Sequence, residues 1–270
     1  MRSPTLCLGA VLVGTILFVA AFAPWLSTYS PDAMDMSNRL APPSGEHVLG
    51  TDNFGRDLWI RMAYGARISL AVSLSSVSIA VLLGGTVGLV SGYFRGTVDA
   101  VLMRIVDLFL GFPPFILAMA LVAALGSGAL SVTVALAAVF WTESARLVRG
   151  ITLSEVERDY VAAARAAGAR HFRIMTRHLL PRAAGPVSIL ATLSIGTAIV
   201  AEAGLSFLGF GIEPPTPTWG WTLAYGVRYL RTDMWLATVP GLAILWTVLG
   251  FNLLGDGLRD RLDPRGLARR

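Results

Sequence analysis

Six long apolar runs, joined by polar connections, constrain this chain more than any other feature. They span about residues 5–26, 68–93, 101–124, 130–148, 183–204 and 237–254. A helix rises about 1.5 Å per residue and a bilayer's hydrocarbon core is about 30 Å thick, so such runs can cross lipid with every backbone group paired. A hydrophobic fraction of 54%, a charged fraction of 14% and a mean hydropathy of +0.64 put the whole chain outside soluble norms. The fold class these observations predict is all-α: a polytopic membrane protein with six transmembrane helices. The first run carries Ala21-Phe22-Ala23, which resembles a cleavage site. It exceeds the ordinary apolar length of a signal peptide, so it is read as a retained span.

A long polar stretch covers residues 152–181 and is rich in arginine. Thr152 with Glu155, or Ser154 with Glu157, offers a capping box to open a helix through Tyr160 and the alanines 162–164, 166 and 167. Gly168 supplies a stop, because glycine accepts the left-handed conformation past a helix end. A second helix over about 169–180 is expected to close at Pro181. The first of these helices has an almost side-chain-free surface, which suits close approach by another backbone. A docking helix and a plain linker both fit this pattern.

Several chemistries are excluded. The 22 basic residues are all arginine, so a lysine-bearing nucleotide loop and Schiff-base catalysis are absent. Cys7 is the single cysteine, which removes internal disulfides and cysteine-based metal sites. His47, His171 and His178 lack the spacing of a helical metal pair. Arginine beside apolar spans is explained by the positive-inside rule, so nucleic acid is not expected as a partner. With the N-terminus inside, 16 arginines fall on the cytoplasmic side and 6 outside, which places residues 152–181 and both termini in the cytoplasm.

Smaller features give narrower expectations. Gly84, Gly88, Gly92 and Gly96 recur every four residues and predict close helix packing. Arg104 and Asp107 are spaced to pair locally, and Pro113-Pro114 predict a kink whose freed carbonyls face the path or another helix. Charged residues are expected towards span ends. Asp52, Arg56 and Asp57 are read as structural ion pairs or a gate, and Trp219, Trp221, Tyr225, Tyr229 and Trp235 as an aromatic belt.

Two alanines, three residues, glycine, then Leu-Pro resembles the cytoplasmic loop of permease subunits of binding-protein-dependent ABC importers. Here the pattern falls on Ala163, Ala164, Gly168, Leu180 and Pro181. The motif's opening glutamate is Ala162 in this chain, and its aliphatic two places before the leucine is His178. Tyr160-Val161 through Gly168, the strings at 49–57 and 64–70, and the ending at 252–265 resemble the C-type subunit of the dipeptide, oligopeptide and nickel branch.

The resemblance implies a type I ABC importer permease fold and the import of peptides. Nickel, glutathione and haem are alternative cargoes of the same machinery. It implies a heterodimer with a homologous B-type permease, ABC ATPase subunits that bind ATP and magnesium, an extracytoplasmic substrate-binding protein, and membrane lipid. No cofactor and no catalysis are implied for this chain. The ATPase-coupling residues implied are Tyr160, Ala163, Ala164, Arg165, Gly168, Leu180 and Pro181. The expected organisation is 1–67 as first span plus extracytoplasmic segment, 68–258 as permease core with its coupling loop at 150–182, and 259–270 as a cytoplasmic tail. A secondary transporter or channel acting alone is the competing class.

Overall fold

The computed structural model describes residues 4–262; the last eight residues of the expected tail lie outside them. Helix α1 (Pro4–Phe22) continues into a 3-10 turn over Ala23–Trp25 and packs along the C-terminal helix α10 (Trp235–Leu262). Helix α2 covers Leu58–Phe94, starting before the apolar run because Asp57 caps it, its Oδ1 accepting from the Ile60 amide at 2.9 Å. Helices α3 (Gly96–Leu110), α4 (Pro114–Leu125) and α5 (Ala129–Glu155) follow. Helices α6 (Asp159–Ala166), α7 (His171–Ile174), α8 (Leu180–Phe207) and α9 (Trp219–Val227) precede α10.

The α2–α5 contact is the most extensive in the bundle. Gly84 meets α5 at Trp141, Gly88 at Ala145 and Arg149, and Gly92 at Arg149 and Thr152, so the two helices run parallel. A Cβ on Gly88 would stand 2.3 Å from the Ala145 carbonyl oxygen, which no side chain can do. Gly96 does not join this seam; it faces open space at φ +55°.

Parallel α2 and α5 require the chain to recross the bundle between them. Helices α3 and α4 do this as a broken span, bent by 89° at the Pro113-Pro114 step. Their contacts descend α5 in order: Asp99 with Arg149, Asp107 with Arg146, Phe109 with Trp141, and then an apolar cluster that holds both Val122 and Val132. Among the described residues, five helices are long and apolar enough to cross alone, and the bent pair makes six. Asp107 binds Arg146 across the helices at 2.7 Å, replacing the expected local pair with Arg104. Asp99 takes both Nε and Nη2 of Arg149, at 2.5 and 2.6 Å, and also accepts from the Ser91 hydroxyl, which fastens α2, α3 and α5 at one end.

At the opposite end the polar segments fold inward. Arg61 is buried and donates to the Pro31 carbonyl at 2.8 Å while lying 3.5 Å from Asp52 and from Asp32. Arg56 pairs with Asp52 at 2.7 Å, and His47 with Asp57 at 2.9 Å, so the expected ion pairs form and include a histidine the sequence did not connect to them. Trp219 is no belt residue: it is 1% exposed and its indole donates to the Met62 carbonyl at 3.0 Å. Glu202, fully buried, accepts from Ser69 at 2.7 Å and from Ser206 at 2.9 Å.

Gly88→Ala is expected to lower the thermal unfolding midpoint of the detergent-purified protein. Gly85→Ala, whose Cβ meets nothing within 4 Å, is expected to leave it unchanged or raise it. Equal midpoints for the two variants would contradict the seam.

Candidate functional site

The connection from α5 to α8 projects from the end of the bundle that the Asp99–Arg149 pair fastens. Its start differs from the sequence expectation. Thr152 is buried inside α5, against Gly92, and Glu155 ends that helix, so neither forms a capping box. Helix α6 begins instead at Asp159, whose carboxylate in the first turn suits the positive helix end.

Gly168 ends the α6 turn as expected. At φ +78° its amide donates to the Arg165 carbonyl while that of Ala169 reaches back to Ala164, the paired bonds of a glycine-closed helix terminus. Beyond it the chain does not stop at Pro181. A π-helical turn over Met175–Leu179 feeds into α8, where Pro181 sits in the first turn. Proline is accepted there because the N–H it lacks has no helical partner anyway.

Of the eight residues of α6, Val161 alone is buried; Ala162, Ala163, Arg165 and Ala166 are exposed and Ala164 is half-buried. Beneath the helix, Val161 shares an apolar cluster with Val148, Val156, Ile174, Leu179 and Ala183. These anchors are spread over three helices and a turn. Single-sequence spacing does not reveal them.

Polar contacts complete the frame. The Tyr160 hydroxyl donates to Glu155 at 2.7 Å, with Arg182 above its ring at 5.6 Å. Burial first, then the bond to Glu155, raises the Tyr160 phenol above its ordinary range, so it stays protonated and donating. Arg165 lies over the Tyr93 ring at 5.5 Å, and the Tyr93 hydroxyl is 2.7 Å from His171 Nδ1. Arg95, at φ +55°, donates to the Leu153 carbonyl and pairs with Glu157 at 2.9 Å.

The loop therefore brings Tyr160, Ala163, Ala164, Arg165 and Gly168 onto or beside one short helix. Leu180 lies elsewhere, beside Leu89, Phe172 and Ala183 along a groove between α2 and α8. Pro181 is exposed next to it. The arrangement offers an exposed surface of small side chains.

Residues 84–266 match the family model described as the binding-protein-dependent transport system inner membrane component. The chain belongs to this permease family. Residues 1–43 match the N-terminal transmembrane domain of oligopeptide transport permease C, which makes it a C-type subunit. A putative peptide transport system permease protein of Brucella suis is 43% identical, over 98% of this chain and 89% of its own length. The dipeptide transport system permease protein DppC of Escherichia coli is also 43% identical, over 98% and 90%. A solved structure of the MetNI methionine ABC transporter in inward-facing conformations superimposes with a TM-score of 0.61, covering 75% of this chain and 96% of that one, at 20% identity. At that identity the likeness establishes the type I importer permease fold and nothing finer.

Tyr160→Phe removes one hydrogen bond whose net worth is about 1 kcal/mol. Hydrogen exchange is expected to quicken across 156–166 in the purified permease while the spans keep their protection. Unchanged exchange there would show that Glu155 does not hold the loop.

Proposed function

We propose that this permease imports peptides as half of a heterodimer with a B-type subunit, driven by ABC ATPase subunits and fed by an extracytoplasmic binding protein. Both termini and the α5–α8 connection lie in the cytoplasm, as the arginine distribution of 16 against 6 favours. The names of the peptide and dipeptide relatives support the cargo. Helix α6 enters a groove on an ATPase subunit.

The observation that carries the docking assignment is the exposure of a small-residue face on a helix whose one buried residue is Val161. A helix that belonged to the permease's own core would turn more of its surface inward. Alanine side chains let the partner's backbone approach closely, and Arg165, stacked on Tyr93, is positioned as a rim contact. Leu180 and Pro181 serve by setting the course of the chain into α8.

Alternating access follows from this connection. Closure of the ATPase pair draws the docking helices together, and α5 and α8, continuous with the loop at both ends, carry the movement into the membrane. Taking a two-state equilibrium from 1:99 to 99:1 needs about 5.5 kcal/mol of differential binding, which ATP and the binding protein supply together. The permease chain hydrolyses nothing and transmits.

Ala163→Trp tests the docking face without touching a backbone constraint. In the reconstituted complex it is expected to abolish the stimulation of ATP hydrolysis by loaded binding protein while α2 and α5 still pack. Gly168→Leu is a less clean probe, because its positive φ alone costs a branched residue about 1–2 kcal/mol. Normal stimulation with Trp at position 163 would remove the docking assignment.

Topology has its own test. A cysteine at Ser44 or Thr216, in a chain lacking Cys7, is expected to react with an impermeant reagent from outside intact cells, and one at Glu155 only after lysis. Labelling at Glu155 from outside would overturn the orientation.

A further inference from the structure

Glu143 lies on α5 within the apolar run 130–148, about 8 Å from the C-terminal end of that run at about 1.5 Å per residue. The sequence places it, with Arg146 and Arg149, towards the end of that span. It is exposed, and among the described residues no hydrogen bond or cation partners it. Its nearest charged neighbours along α5 are already committed: Arg146 to Asp107, and Arg149 to Asp99. A lone carboxylate inside an apolar run is costly against hydrocarbon and is favoured beside water or a cation.

The surroundings meet that need. Glu143 lines a cavity of about 200 Å³ with Phe112, Pro114, Thr142 and Thr197, at the level where α3 and α4 break. Pro114 has no N–H to offer the Leu110 carbonyl one turn earlier, and Leu110 lines the same cavity, so the break adds backbone polarity. A second, apolar cavity of about 360 Å³ adjoins it, sharing Pro114, Val139, Phe140 and Thr197. One carboxylate beside an apolar hollow matches one cationic group beside apolar side chains.

We infer that Glu143 is a substrate contact within the translocation path, where its carboxylate receives the α-ammonium group of a passing peptide while the adjoining hollow takes side chains. The inference rests on the peptide-import reading above but not on the docking helix. Its test reads charge at position 143 rather than coupling.

The experiment uses the assembled transporter with Cys7→Ser as background. Glu143→Gln is expected to lower peptide transport by about thirtyfold or more, the loss expected when one member of a desolvated charge pair is removed, and the complex is expected to purify intact. Glu143→Cys is expected to show the same loss, to react with water-soluble thiol reagents, and to react more slowly when peptide is being transported. An anionic sulfonatoethyl adduct at position 143 should restore transport, and a cationic trimethylammonioethyl adduct should not. A purely steric role would make the two adducts equivalent, which would overturn the inference. Exclusion of both reagents, with loss of assembly in Glu143→Gln, would instead place Glu143 against a cation of the B-type subunit and also overturn it. If peptides are not the cargo, wild-type peptide transport is absent from the outset, which separates that failure from this one.

Discussion

The parallel contact between α2 and α5 is the constraint on which the remaining structure depends. Three glycines one turn apart let two backbones touch, and the resulting direction of α5 forces the intervening chain to cross the bundle. Without a hydrophobic drive between helices inside lipid, such close contact and the interhelical ion pairs must supply the association energy. The Asp99–Arg149 pair lies at the end of this seam, where it also fixes the last turns of α5 from which the exposed loop springs. The surface presented by α6 is therefore aimed by residues deep in the bundle.

At the other end, buried Arg61 and Trp219 perform the complementary task. The guanidinium reaches carbonyls and carboxylates from separate polar segments, and the indole draws α9 down onto α2. Polar loops that could lie on the membrane surface are instead folded into the same bundle. The far end of the bundle is thus tied by buried polar contacts, as the near end is by Asp99 and Arg149.

Much of this was legible in the sequence. Apolar run length gave the spans, the four-residue glycine spacing gave the α2 seam, and Gly168 ended α6 as its residue type demands. What escaped had physical causes. Thr152 reads as a cap by type, yet packing against Gly92 carried α5 past it, since tertiary burial outweighs a capping bond. Pro181 reads as a stop, but proline serves equally at a helix start, and only the fold distinguishes the two. Asp107 found Arg146 on another helix in place of Arg104, and Trp219 left the interface for the core, because pairings between distant segments leave no spacing signal in one sequence. The apolar footing of α6 was hidden for the same reason, and the position of Glu143 gained meaning only once the break between α3 and α4 was placed beside it.

The central claim is that α6 transmits force to and from an ATPase subunit through its small-residue face. Disulfide cross-linking tests it most directly, with a cysteine at Ala163 in a chain carrying Cys7→Ser and a second cysteine in the ATPase subunit's permease-facing groove. The account predicts a cross-link that forms in the assembled complex and blocks ATP-driven transport until it is reduced. A cysteine at position 163 that remains unlinked, or links only to the other permease chain, would contradict it.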